Sequence, residues 1–126
     1  MVGMNDGDPY MDDKEHEMVI LLQKLNVSKP VAKALACLLS TDRITSREVE
    51  RMSRLRQPEV SIAMNYLKEN NWVDVEELKK KQGKGRPIKV YLLIVPMNEI
   101  IETIEKKVLS ENKMLLENIE KLKSIS

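Results

Sequence analysis

The chain has 126 residues, 21 Lys or Arg against 20 Asp or Glu for a net charge of +1, one Cys, one His and only 3 % aromatic residues. That length holds one domain and an accessory element. A lone Cys excludes an intrachain disulfide, one Cys with one His cannot build a structural zinc site, and no run approaches the roughly 20 apolar residues of a membrane span.

The near-zero total hides a strong division along the chain. Residues 1–17 carry Lys14 against six acids, 43–56 carry five Arg against Glu48 and Glu50, and 79–89 carry six Lys or Arg and no acid. Attraction to phosphates follows the local field and not the sum. The two basic segments therefore point to a polyanionic partner, while 57–78 is net negative. The single Cys suits a reducing compartment and the acidic N-terminus is unlike a signal peptide, so the expected location is the cytoplasm. No residue cluster calls for a metal or other cofactor.

Residues 1–11 have no apolar period and read as a disordered tail. The main domain is expected over 12–95. Asp12 or Asp13 can cap a first helix over about 13–25, with Met18, Leu21, Leu22 and Leu25 on its apolar face and Asn26 at its end. Ser28 starts a second helix that tolerates Pro30 in its first turn. Its stripe is Val31, Leu35, Leu38 and Leu39, and its Ala residues allow close packing. Cys37 in this helix reads as a small buried hydrophobe in preference to a redox sensor.

Thr41 to Ile44 reads as a turn and a short extended stub. Thr45 and Glu48 have the spacing of a capping box, in which each satisfies a free backbone N–H of the helix start. Val49 and Met52 face inward, and 53–56 forms a turn. A helix then opens Gln57-Pro58-Glu59-Val60-Ser61. At about 100° per residue, Val60, Ala63, Met64 and Leu67 share the core face. Ser61, Ile62 and Asn65 lie opposite, with Glu59 at the flank. An apolar residue in that place can meet a thymine methyl, and Asn can bond an adenine edge. A solvated face with an incidental Ile is the plainer alternative.

After Asn70-Asn71 a strand begins near Trp72, and 88–93 returns as its partner, with Val90 and Leu92 alternating against Lys89 and Tyr91. The connection has a glycine-flanked basic tip, Lys79 to Pro87. Gly83 and Gly85 relax the tip and Pro87 biases Arg86 toward extended backbone, so that Arg86 can enter a narrow minor groove. A merely solvated basic loop is the alternative. No Gly-Lys-Ser/Thr pattern makes it a nucleotide cradle.

From Met97 a long helix is expected to occupy most of 96–126. Met97, Ile101, Ile104, Val108, Leu115, Ile119 and Leu122 form one stripe, interrupted at Glu111 and Asn112. A stripe of that length needs a partner. Self-association through Ile101, Ile104, Val108, Leu115, Ile119 and Leu122, parallel or antiparallel, is preferred over folding back on the same domain.

The fold class is thus mainly α with a small β-hairpin, a winged helix-turn-helix followed by a long C-terminal helix. The order helix, turn, helix, basic hairpin implies double-stranded DNA as the partner. Base-facing candidates are Gln57, Glu59, Ser61, Ile62 and Asn65. Ser46, Arg47, Arg54 and Arg56 are the candidates of the positioning helix and turn, and Lys80, Lys81, Lys84 and Arg86 those of the wing. A homodimer would present two such helices to a palindromic site. A winged-helix module that binds protein within transcription or replication machinery is the alternative. An enzyme is not expected: no nucleophile–base pair, phosphate loop or metal cluster is present.

Residues 54–73, from Arg54 to Val73, resemble the recognition helix of ArsR-type regulators, and Gly85 to Tyr91 resembles the wing of archaeal TrmB- and MarR-like regulators. The resemblance covers roughly 28–95. It implies that Gln57, Ser61, Ile62 and Asn65 face DNA and that Arg86 stands at the wing tip. One departure matters. Metal-sensing ArsR proteins carry a Cys pair in the helix before recognition, where this chain has Ser46 to Met52 without Cys or His, which argues against metal sensing there.

Overall fold

The computed structural model describes residues 11–78 and 88–126. The chain divides into two compact units, Met1–Val95 and Pro96–Ser126. The first contains α1 (Asp13–Lys24), α2 (Lys29–Cys37), β1 (Arg43–Thr45), α3 (Ser46–Ser53), α4 (Gln57–Glu69), β2 (Val73–Leu78) and β3 (Ile88–Leu93); the second is a single 29-residue helix, α5 (Met97–Ile125).

α1 begins with a reciprocal cap. The Asp12 carboxylate accepts from the Glu15 N–H at 2.8 Å, and Glu15 accepts in return from the Asp12 N–H at 2.9 Å. Glu15 is itself buried, and its second oxygen accepts from the Ser40 hydroxyl at 3.1 Å. A buried carboxylate is tolerated when its oxygens are bonded; here it also ties the loop after α2 to the start of α1. The inward face of α1 is Glu15, Val19 and Leu22. This corrects the expected phase, since Leu21 and Leu25 are exposed and Met18 is only half-buried. Met11, read as part of the tail, is buried as well. Residues 1–10, the rest of that tail, lie outside the described residues.

α2 is the centre of the core. Val31, Ala32, Ala34, Leu35, Ala36 and Cys37 are all buried, and Leu38 follows them inside. The small Ala side chains let neighbouring helices approach, and α2 packs against α1, α3 and α4. Each fully buried Leu contributes about 1.5–3 kcal/mol from area removed from water. Cys37 is a buried thiol, as its position in the helix implied.

The strands form an antiparallel sheet in the order β1-β3-β2. This extends the expected hairpin: the stub before α3 is a third strand, with Ile44 opposite Tyr91 and Thr45 opposite Val90. β2 and β3 pair from Val73↔Leu93 to Leu78↔Ile88. The central position of β3 explains a second correction. Val90 and Tyr91, on opposite faces, are both buried, and Leu92 is only half-buried. A strand flanked on both edges and covered on both faces loses the alternation of an edge strand. Burial first, and then the Glu50 carboxylate, push the Tyr91 phenol above its ordinary 10.0.

Candidate nucleic-acid interface

The helix-turn-helix is assembled by local bonds that the sequence specifies. Thr45 accepts from the Glu48 N–H at 3.1 Å, and the Glu48 carboxylate accepts from the Thr45 N–H at 2.9 Å. The capping box therefore forms as spaced, and the Glu48 anion also sits where the α3 dipole favours it. Val49 is buried below it and Met52 is half-buried. Ser46 opens the helix half-buried, and Arg47 is exposed.

The turn is held from three sides. The buried Ser53 hydroxyl donates to the Val49 carbonyl and accepts from the Leu55 N–H at 3.1 Å. Lys33 of α2 donates its ammonium to the Ser53 carbonyl at 2.9 Å, replacing a helical partner that the chain end of α3 lacks. Arg54 caps α3 in the left-handed region, at φ 60°, where a residue with a Cβ carries a cost on the order of 1–2 kcal/mol. Leu55 plugs the turn, buried, between the exposed Arg54 and Arg56. This strained hinge turns the chain directly into α4.

At the start of α4 the Glu59 carboxylate accepts from the Arg56 N–H at 3.0 Å. Glu59, a base-facing candidate by sequence, thus has a capping task in the free protein. Val60, Ala63, Met64 and Leu67 are buried, as their spacing requires. On the other side Gln57, Ile62 and Asn65 are exposed and Ser61 is half-buried. Ile62 is 68 % exposed, so packing within the core does not account for an apolar side chain there. Gln57 donates to the Ser61 hydroxyl at 3.2 Å, one helical turn on, which orders the first-turn polar edge. At the far end Tyr66 meets Trp72 edge-to-face, with ring centroids 6.2 Å apart and planes at 74°.

The wing candidates Lys80, Lys81, Lys84 and Arg86 lie outside the described residues. The described base of the wing runs to Leu78 and resumes at Ile88, with Glu77 paired opposite Lys89. A shallow cavity of about 190 Å³ lies where α4 meets the sheet, bordered by Asn65, Lys68, Glu77, Lys89 and Tyr91.

The sequence reading missed two cations. Lys29 and Lys33 share one face of α2, and with His16 and Arg54 they border a cavity of about 280 Å³ that Met11, Val19 and Ile20 also line. Their four-residue spacing on a helix puts both on the same side, a signal that was present but pointed to no partner until the turn was placed beside it. Among the described residues no group of three or more His, Cys, Asp or Glu is placed to hold a metal ion. Among them, too, no helix is long and apolar enough to cross a membrane.

In α5, Ile101, Leu115, Ile119 and Leu122 of the expected pairing stripe are exposed, Val108 is half-buried and Ile104 is buried. No residue of the helix beyond Ile104 is buried.

No protein-family model and no curated protein sequence matches the chain. Solved structures do. A possible transcriptional regulator from Methanosarcina mazei Go1 is 19 % identical, over 84 % of this chain and 87 % of that one, with a TM-score of 0.59. TrmBL2, an archaeal chromatin protein, is 21 % identical over 87 % of this chain, with a TM-score of 0.61; the match spans 39 % of TrmBL2. At such identities the likeness establishes architecture. With the capped helix-turn-helix and the hairpin that follows it, this chain has the winged helix-turn-helix fold on which transcriptional regulators are built.

Proposed function

We propose that the protein is a sequence-specific double-stranded DNA-binding transcriptional regulator that acts as a homodimer. In this reading α4 enters the major groove and the basic wing, 79–89, reaches the flanking groove. One observation carries it: α4 is anchored by four buried side chains while Ile62 and Asn65 stand exposed on the opposite face. Gln57, Ser61, Ile62 and Asn65 read bases. Ser46, Arg47, Arg54 and Arg56 hold the backbone, with Lys29 and Lys33 adding charge behind the turn. Lys80, Lys81, Lys84 and Arg86 supply wing contacts. Glu59 serves mainly by fixing the start of α4. Ile101, Val108, Leu115, Ile119 and Leu122 of α5 join the two copies. The likeness to TrmBL2, an archaeal chromatin protein that shows a novel mode of DNA binding, agrees with the partner.

A second reading, a winged-helix module that binds protein, draws on the 68 % exposure of Ile62 and the net negative charge of 57–78. Salt separates the two. Fluorescence anisotropy with random and A·T-rich duplexes should show affinity falling steeply from low to physiological salt. Each phosphate neutralised contributes about 1 to the log–log salt slope, so the double variant Lys84→Ala, Arg86→Ala, which removes two cations of the wing, should show a slope reduced by about 1–2. No binding to any duplex at low salt would favour the protein-binding module.

Arg54 allows its backbone and its charge to be told apart. Arg54→Gly relieves the left-handed strain of about 1–2 kcal/mol against about 0.4–1 kcal/mol of added freedom in the unfolded chain, and removes one cation. The expected result is a melting temperature unchanged or slightly raised, with duplex affinity reduced several-fold. A clear drop in melting temperature would instead make the Arg54 side chain a packing element of the turn.

A further inference from the structure

The apolar stripe of α5 is interrupted at Glu111 and Asn112. Val108, Asn112, Leu115, Ile119 and Leu122 follow one another at alternating steps of four and three residues. That is the seam of a two-stranded coiled coil, with Asn112 and Ile119 at a positions and Val108, Leu115 and Leu122 at d. Leu109 and Leu116 lie beside it at e. Leu109, Leu115, Leu116 and Leu122 are each at least 60 % exposed and Ile119 is 47 % exposed. Asn112 is exposed too, near the middle of this apolar face.

We propose that this half of α5 pairs with the same helix of a second copy in parallel and in register, and that Asn112 meets Asn112 across the pair. The inference rests on the homodimer reading above and specifies its geometry. An apolar partner laid over the stripe would strip water from the Asn112 amide and return nothing, the costly way to bury a polar group. An amide carries both donors and an acceptor, so its natural complement is another amide. A parallel, in-register pair brings every a residue opposite its own copy and satisfies both amides at once. An antiparallel pair packs a residues against d residues of the copy, so one centred on the exposed half would set Asn112 against the apolar Leu122 of the copy. Branched Ile at a with Leu at d also favours two strands, and a single polar a residue holds register and strand number at some expense in stability. Parallel pairing also brings the two Pro96 junctions to one end of the coil, an arrangement that suits adjacent half-sites of one operator.

The experiment uses the full chain carrying Ser126→Cys, two heptads after Asn112 and so also at an a position. Cys37 is buried, and the parent chain serves as the control. Molar mass by light scattering should be that of two chains. Mild oxidation should link most of the Ser126→Cys dimer through residue 126 and leave the parent unlinked, because a disulfide needs Cα atoms within about 7 Å. The exposed substitution Asn112→Leu should raise the dissociation temperature and yield species larger than two chains or of mixed orientation. A two-chain protein without the 126–126 link would overturn parallel pairing while leaving the dimer intact, since the antiparallel arrangement parts those residues by about 30 Å at about 1.5 Å per residue. A two-chain Asn112→Leu variant of unaltered stability would remove Asn112 from the interface. A single-chain mass at every concentration would overturn both this pairing and the dimer reading.

Discussion

Asn65→Ala is expected to weaken binding to a selected duplex by roughly 5- to 150-fold, the equivalent of the 1–3 kcal/mol that a good base contact supplies. Ile62→Glu is expected to exceed that loss, because it removes an apolar contact and sets a negative charge against the groove. Both side chains are exposed, so melting temperatures should stay within the roughly 0.5 kcal/mol scatter of surface substitutions. The informative comparison is between a selected duplex and a random one. Loss of a base contact narrows the ratio of the two affinities, whereas loss of a phosphate contact lowers both together. Among the described residues the Asn65 amide has no hydrogen-bond partner, so truncating it strands no group within the fold. Unchanged affinity in both variants would mean that α4 does not face DNA at all.

Leu35→Ala should produce the largest loss of stability of any single truncation considered. Leu35 is 0 % exposed, on the helix that meets α1, α3 and α4. Removing a buried Leu side chain costs about 2–5 kcal/mol, depending on how far the surroundings collapse into the cavity. A loss of about 3 kcal/mol corresponds to a fall of about 10–20 °C in melting temperature for a domain of this size. Thermal melts followed by circular dichroism and denaturant titration should agree on it. A loss below about 1 kcal/mol would show that the core does not depend on α2 in the way its burial implies.

Much of the helix-turn-helix could be read from the chain because its determinants are local. The Thr45–Glu48 cap, the Gln57 start of α4 and the inward Val60, Ala63, Met64 and Leu67 all follow from spacing within one or two helical turns. The misreadings have the opposite character. In α1, Val19, Ile20, Leu21 and Leu22 are four consecutive apolar residues, so periodicity had no unique phase to choose. The choice was made by tertiary contacts that also bury Glu15 beside Ser40, a bond between residues 25 positions apart. β1 spans three residues, too few to show alternation, and its pairing with Leu92, Tyr91 and Val90 joins distant segments. Once that strand is added, β3 becomes central, with Tyr91 buried opposite the buried Ile44 of β1. The left-handed Arg54 carries no compositional mark, since Gly or Asn is the usual sign of that conformation, whereas Asn26 and Asn71, also at positive φ, do carry it. Of the candidate interface, the recognition face was visible as a helix with two unlike sides. Lys29 and Lys33 were not, because their relevance depends on where α2 lies against the turn.

The solitary thiol of Cys37 has a practical consequence. It is fully enclosed on the helix at the centre of the core, and the chain has no other cysteine to compete with it. An alkylating reagent can reach it only when α2 opens, so the rate of covalent labelling becomes a clock for that opening under native conditions. When reclosing outpaces labelling, the clock reads an equilibrium free energy; when it does not, the clock reads a rate of opening. Without any engineered labelling site, the protein carries its own gauge of how often its interior is exposed.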